Sequence, residues 1–275
     1  METFLMTDFP LSAYKQQILN DFNNRPHYEN EFHKRAANRL VELAKIQPGR
    51  KILDIATGSG LVAIAAAQIV GDTGYVFGFD ISPGMLQQAQ EKVTALSLNN
   101  IQLEEADADE REFEENQFDA VLCSSAIVYL TDIPKALRRW HYTLKTRGII
   151  AFSCLAETSP SASVLFREVV QRHGITIPNP NEILGTPDKC KQMLQTIGFE
   201  KIEIMTEEFG FYFQDPEIGW TGNAKSAFGL QEVHWTEEEL NKCKQEYFTQ
   251  LLNMASTEQG FWNDITMFFV TACKY

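Results

Sequence analysis

The stretch Lys51-Ile-Leu-Asp-Ile-Ala-Thr-Gly-Ser-Gly-Leu61, followed by Phe77-Gly-Phe-Asp80, decides the fold. A short apolar strand carries an acid near its end. A turn of small residues then holds Gly58 and Gly60, and a helix begins. The next strand ends in a second acid, Asp80, about twenty residues past the last glycine. A strand, glycine turn and helix followed by an acid-tipped strand build a nucleoside-binding site.

Outward from that stretch, apolar runs alternate with amphipathic segments. Strands are predicted at 51–55, 75–80, 101–105, 118–123 and 148–154, with helices at 61–69, 84–95 and 133–144 between them. Such alternation argues for a parallel sheet covered on both faces, with ligand at the carboxyl ends of its strands. Upstream, residues 11–46 read as two helices broken at Asn23-Asn24-Arg25-Pro26. Downstream, helices are predicted at 159–173 and 186–197, a strand at 201–207 and a last strand at 265–273. The interval between those two strands is too long for a plain loop and should fold as a cap, helical from about Glu237 to Leu252. The expected architecture is α/β: a Rossmann-like, seven-stranded, mostly parallel sheet with helices on both faces. Its parts are a helical lid (1–48), a nucleoside-binding core (49–155), a mixed cap and core segment (156–208), a cap insertion (209–262) and a final core strand (263–275).

Composition narrows the function. The chain has 275 residues, 44% of them hydrophobic, and a formal charge of −13. A polyanion would meet net repulsion, which disfavours nucleic acid and favours a small-molecule partner. No run has the length of a membrane span, and Met1–Phe9 lacks the basic flank and apolar core of a signal peptide. The five cysteines are scattered, with no CxxC pair, as expected of free thiols in the cytoplasm. No histidine pair has metal-ligand spacing, so no metal is expected.

Gly58-Ser-Gly-Leu-Val-Ala63 also satisfies the loose dinucleotide pattern, which keeps an NAD(P)-dependent oxidoreductase open as an alternative. Asp54 argues the other way. A carboxylate ahead of the turn opposes a pyrophosphate but suits a cofactor that presents an ammonium. Glu105-Ala-Asp107-Ala108 places a further acid after strand three, where a carboxylate can accept from an exocyclic amine.

These residues carry a resemblance. Asp54-Ile-Ala-Thr-Gly-Ser-Gly60, Asp80-Ile-Ser-Pro-Gly-Met-Leu86, Ala106-Asp-Ala108 and Phe118-Asp-Ala-Val-Leu-Cys123 resemble the successive motifs of class I S-adenosylmethionine-dependent methyltransferases. The branch they look most like is the small-molecule one that includes the ubiquinone/menaquinone-biosynthesis methyltransferases. The likeness covers about residues 28–155.

The resemblance implies S-adenosyl-L-methionine as cofactor and a small, partly apolar methyl acceptor. It implies that Thr57, Gly58 and Gly60 approach the cofactor with their backbone. Asp54 would sit by its methionine end and Asp80 on the ribose hydroxyls, with Ile81 and Met85 against the adenine. Asp107 and Ala108 would read the adenine edge. Cys123 and Ser124 would lie near the sulfonium, and Tyr28 matches a lid tyrosine. If the acceptor needs a base, the candidates are His33, His173 and His234, with His27 also flanking Tyr28. Ser124-Ser-Ala-Ile-Val-Tyr129 departs from the quinone-branch motif and puts a quinone precursor in doubt. A catalytically silent binding subunit on the same scaffold is the further alternative.

Overall fold

The structure, a computed structural model, describes residues 12–25, 28–230, 233–255 and 257–275. His27 lies outside the described residues. Seven strands form one sheet: β1 (Lys51–Ile55), β2 (Tyr75–Asp80), β3 (Ile101–Glu105), β4 (Phe118–Cys123), β5 (Leu144–Leu155), β6 (Phe199–Glu208) and β9 (Thr266–Lys274). Their order is β3-β2-β1-β4-β5-β9-β6. The first five run parallel, and β9 inserts antiparallel between β5 and β6. From β1 the chain winds outward to β3, then returns to start β4 on the other side. The carboxyl ends of β1 and β4 therefore flank the topological switch point, where an open α/β sheet binds its ligand.

Both faces are covered. On one, α2 (Glu31–Ala44) and α3 (Leu61–Val70) bury Leu40, Ala66 and Val70 against Ile52, Val76 and Leu122. On the other, α5 (Ile133–Thr143) and α7 (Pro187–Ile197) bury Leu137, Trp140 and Leu194 against Leu53, Phe79 and Val121. Adjacent residues of β1 thus serve opposite faces, as strand pleating requires. Local signals start the helices. Ser82 accepts from Met85 N to cap α4 (Pro83–Ala95), and Thr236 and Glu239 form a capping box on α9 (Glu237–Met254).

The cap has its own small core. α6 (Ser161–Arg172), α8 (Pro216–Ala224), α9 and the short pair β7 (Phe211–Phe213) and β8 (Phe261–Asn263) bury Phe166, Phe213, Trp220, Tyr247 and Leu251 together. Helix α6 thus packs with the cap. Of the aromatic run after residue 208, Phe209 turns back to the sheet and packs on Phe32 and Phe269. β5 extends further than the apolar run 148–154, because Leu144 already pairs with Phe118 of β4. α8 and the hairpin-like pair were not legible as separate elements. Three-residue strands and a Gly-bearing nine-residue helix give too few periods to read.

Candidate active site

The strand tips converge on one hollow. Asp54 is buried, and its Oδ2 accepts from Thr57 Oγ1 at 2.6 Å. Asp80 Oδ2 accepts from Gly58 N at 2.8 Å and its Oδ1 from Ser82 N at 2.9 Å. The second acid therefore holds the glycine turn in shape. Burial pushes the Asp54 carboxyl up to about 7, against the hydrogen bonds from Thr57 and the Ala63 backbone, and nearby Asp80 adds to the rise. Burial also raises Asp80, opposed by backbone donors. Neither has an ion-paired Lys, Arg or His among the described residues. Two buried carboxylates without a counter-cation fit a ligand that brings positive charge.

The two turn glycines differ in role. Gly58 has φ +55°, and a Cβ added there would meet nothing within 4 Å, so the space above it is open to a ligand. Gly60 has φ +84° and caps α3, but a Cβ there would lie 2.9 Å from Ala89 Cβ. Its missing side chain serves the packing of α3 on α4 as well as the turn.

Ile81, Met85, Ala106, Asp107, Ala108, Ser124 and Tyr28 line one side of the hollow with Asp80, in a cavity of about 90 Å³. Asp54, Thr57, Gly58, Ser124, Tyr28 and His33 line an adjoining space of about 50 Å³, which shares Tyr28, Gly58 and Ser124 with the first. Cys123 is placed differently. It is buried in the sheet core, where burial holds its thiol far above the usual range, and it lines neither space. A larger open hollow, about 490 Å³, lies at the amino ends of β1 and β2. It lies at the opposite end of the strands from their tips, and among the described residues its wall holds no acid, histidine or cysteine.

α1 (Ala13–Asn23) lies across the first cavity through Lys15, Ile18 and Phe22. Lys15, 7% exposed, reaches Asp107 Oδ1 at 2.8 Å and Asp109 Oδ2 at 2.5 Å. That leaves Asp107 Oδ2 without a partner among the described residues. At its other end α1 docks on α4, where Asn23 Oδ1 accepts from Gly84 N at 2.7 Å. No sequence signal marked Lys15, since a lone lysine on an amphipathic helix reads as solvated. Lys15→Met should release α1, because two neighbouring acids lose their shared cation at a cost of about 3–5 kcal/mol. Hydrogen exchange over 13–23 should quicken, and a ligand seated in the first cavity should dissociate on the order of tenfold faster.

A third cavity, about 260 Å³, opens between lid, sheet and cap. It shares Tyr28, Ser125 and Tyr129 with the first cavity, and His33 with the second. Tyr129 stacks on Phe228 with ring centroids 5.2 Å apart, and Tyr28 stacks on His33 at 4.2 Å. Burial and the nearby Arg25 lower the His33 pKa, and its Nδ1 is buried without a hydrogen-bond partner. The other two candidate bases lie elsewhere. His173 is bonded to Glu246 at 2.8 Å beside Trp235, and His234 is exposed; neither lines these cavities. Ser125 and Tyr129 were missed as wall residues, although they follow directly on the β4 tip.

The fold and the strand-tip acids define a Rossmann-like protein whose acidic hollow suits a positively charged ligand. The family model described as "Methyltransferase domain" matches residues 52–148. Aklanonic acid methyltransferase of a Streptomyces species is 36% identical over 146 residues, 52% of this chain and 66% of that protein. Demethylmenaquinone methyltransferase of Staphylococcus aureus is 30% identical over 186 residues, 66% of this chain and 76% of that one. Among solved structures, Haemonchus contortus phosphoethanolamine N-methyltransferase 2 in complex with S-adenosyl-L-methionine aligns with TM-score 0.57 at 18% identity. That match covers 97% of this chain and 61% of that chain. The chain belongs to the S-adenosylmethionine-dependent methyltransferase family. Its cofactor is S-adenosyl-L-methionine, and the oxidoreductase alternative finds no support.

Proposed function

We propose that this enzyme methylates a small, planar, largely apolar molecule held between lid and cap, with His33 as proton acceptor. The observation that carries the reading is the third cavity: aromatic-walled, sharing Tyr28, His33, Ser125 and Tyr129 with the strand-tip spaces, and lined by an imidazole whose pKa burial lowers. Aklanonic acid and demethylmenaquinone, the compounds in the relatives' names, indicate the acceptor class.

The bound cofactor supplies an electrophilic methyl on a sulfonium. The chain's part is to bind, align and exclude water. Asp80 is suited to the ribose hydroxyls, Ile81 and Met85 to the adenine faces, Asp107 and Ala108 to the adenine edge, and Asp54 to the ammonium end. Gly58 leaves room for close approach, Ser124 lines the donor spaces, and Ser125, which lines all three cavities, sits between donor and acceptor. A lowered pKa keeps His33 neutral at pH 7, the state that accepts a proton from an enol or phenol. Five unpaired cysteines support a reducing cytoplasm as the setting. No helix among the described residues is long and apolar enough to cross a membrane.

The test is incubation with S-adenosylmethionine and a panel of hydroxylated quinones and aromatic polyketides, read by mass spectrometry for a product one methyl heavier. Cofactor binding without methylation of any member would favour the silent-subunit alternative. His33→Gln should cut turnover of a phenolic or enolic acceptor by about 10²-fold or more, with cofactor affinity unchanged. Equal turnover would remove His33 from the chemistry.

A further inference from the structure

The acceptor cavity is a cationic island in an acidic chain. The chain carries −13 overall, yet among the described residues no Asp or Glu lines this cavity while Arg25 and Arg167 do. Arg25 is neutralised: its Nη2 lies 2.6 Å from Asp21, and the guanidinium sits over the Phe22 ring. Arg167 has no hydrogen bond or ion pair among the described residues. Exposed Glu168 is the acid that acts on it, and half-burial lowers its pKa. Ser163, one turn earlier on α6, lines the same cavity. The wall amides are already committed, with Asn181 donating to Ser159 O and Asn223 to Gly219 O.

Resting on the methyl-transfer reading above, we infer that Arg167 anchors a carboxylate on the acceptor, so that the substrate class is an aromatic acid anion. A guanidinium held half out of water with no acid in hydrogen-bond reach is a receptor for a planar anion, and Arg matches a carboxylate with two parallel donors. The stacked Tyr129–Phe228 pair and Phe166 supply flat apolar wall for the ring system. Arg167 comes from the cap side and lines neither strand-tip space. It therefore positions the acid's far end and leaves the reacting atom to His33 and Ser125.

The experiment is calorimetry on the protein saturated with S-adenosylhomocysteine, titrated with 1-hydroxy-2-naphthoate and, separately, with its uncharged methyl ester. The wild type should prefer the acid on the order of tenfold or more. Arg167→Met should erase that preference, and Arg167→Lys should keep part of it. An acid that binds no better than the ester, or not at all, overturns the inference, as does a preference that survives in Arg167→Met. S-adenosylhomocysteine binding, measured first in every variant, separates the two claims. Its failure in the wild type would sink the cofactor-site reading itself, whereas normal binding with no acid preference sinks only the anion anchor.

Discussion

Asp80→Asn is expected to weaken S-adenosylhomocysteine by about 10- to 150-fold, the loss of a charged acceptor worth about 1.5–3 kcal/mol. The carboxylate has two duties. Its oxygens accept from Gly58 N and Ser82 N, which shapes the turn, and it lines the cofactor cavity beside Ile81 and Met85. The amide keeps the size but offers one acceptor where two are needed, so the turn must also loosen. Calorimetry with the cofactor product, together with thermal unfolding of the unliganded variant, reads both effects. Retained affinity would mean that Asp80 holds the turn and nothing more.

Asp54→Asn is expected to stabilise the unliganded protein while costing it the cofactor. The carboxyl titrates near 7 in the fold against an ordinary value of 3.8. Above pH 7 it is ionised in both states, and the folded state bears the full cost of a buried charge, on the order of 2–4 kcal/mol. As pH falls from 7 towards 4 the folded carboxyl takes up its proton first, and the penalty shrinks. Below that it is absent. The variant's advantage in melting temperature should therefore be greatest at pH 8, several degrees by the usual scaling, and vanish near pH 4. A ligand ammonium needs the ionised form. Wild-type affinity should rise with pH up to about 7, with proton release visible as a buffer-dependent heat, and the variant should show neither. An unchanged melting temperature at pH 8 would show that Asp54 is accommodated without strain.

Much of this was legible in the sequence, for physical reasons. β1, β2 and β4 match their expected bounds because buried parallel strands read as largely apolar runs punctuated by turn residues; the edge strand β3 matches through the alternation of Ile101 and Leu103 with polar residues. Asp80 closes β2, and Asp54 and Asp107 lie within two residues of a strand's end, so their positions at the strand tips were legible. The rest depends on contacts between distant segments. That His33 faces the cavity while His173 pairs with Glu246 is decided by how α2 and α9 pack, and no periodicity encodes it. Lys15 and Arg167 look like ordinary surface charges until the fold shows one between two acids and the other with no partner. Cys123 reads as a strand-tip residue, but strand pleating turns it into the core while Ser124 reaches the hollow.

The cap's private core separates two kinds of inheritance. Phe166, Trp220, Tyr247 and Leu251 hold α6, α8 and α9 together without help from the sheet interior. Mutations on the cap's inner wall can thus redraw which molecule is accepted while the donor machinery at the strand tips stays as it was. A scaffold divided in this way can diversify its chemistry of recognition one face at a time.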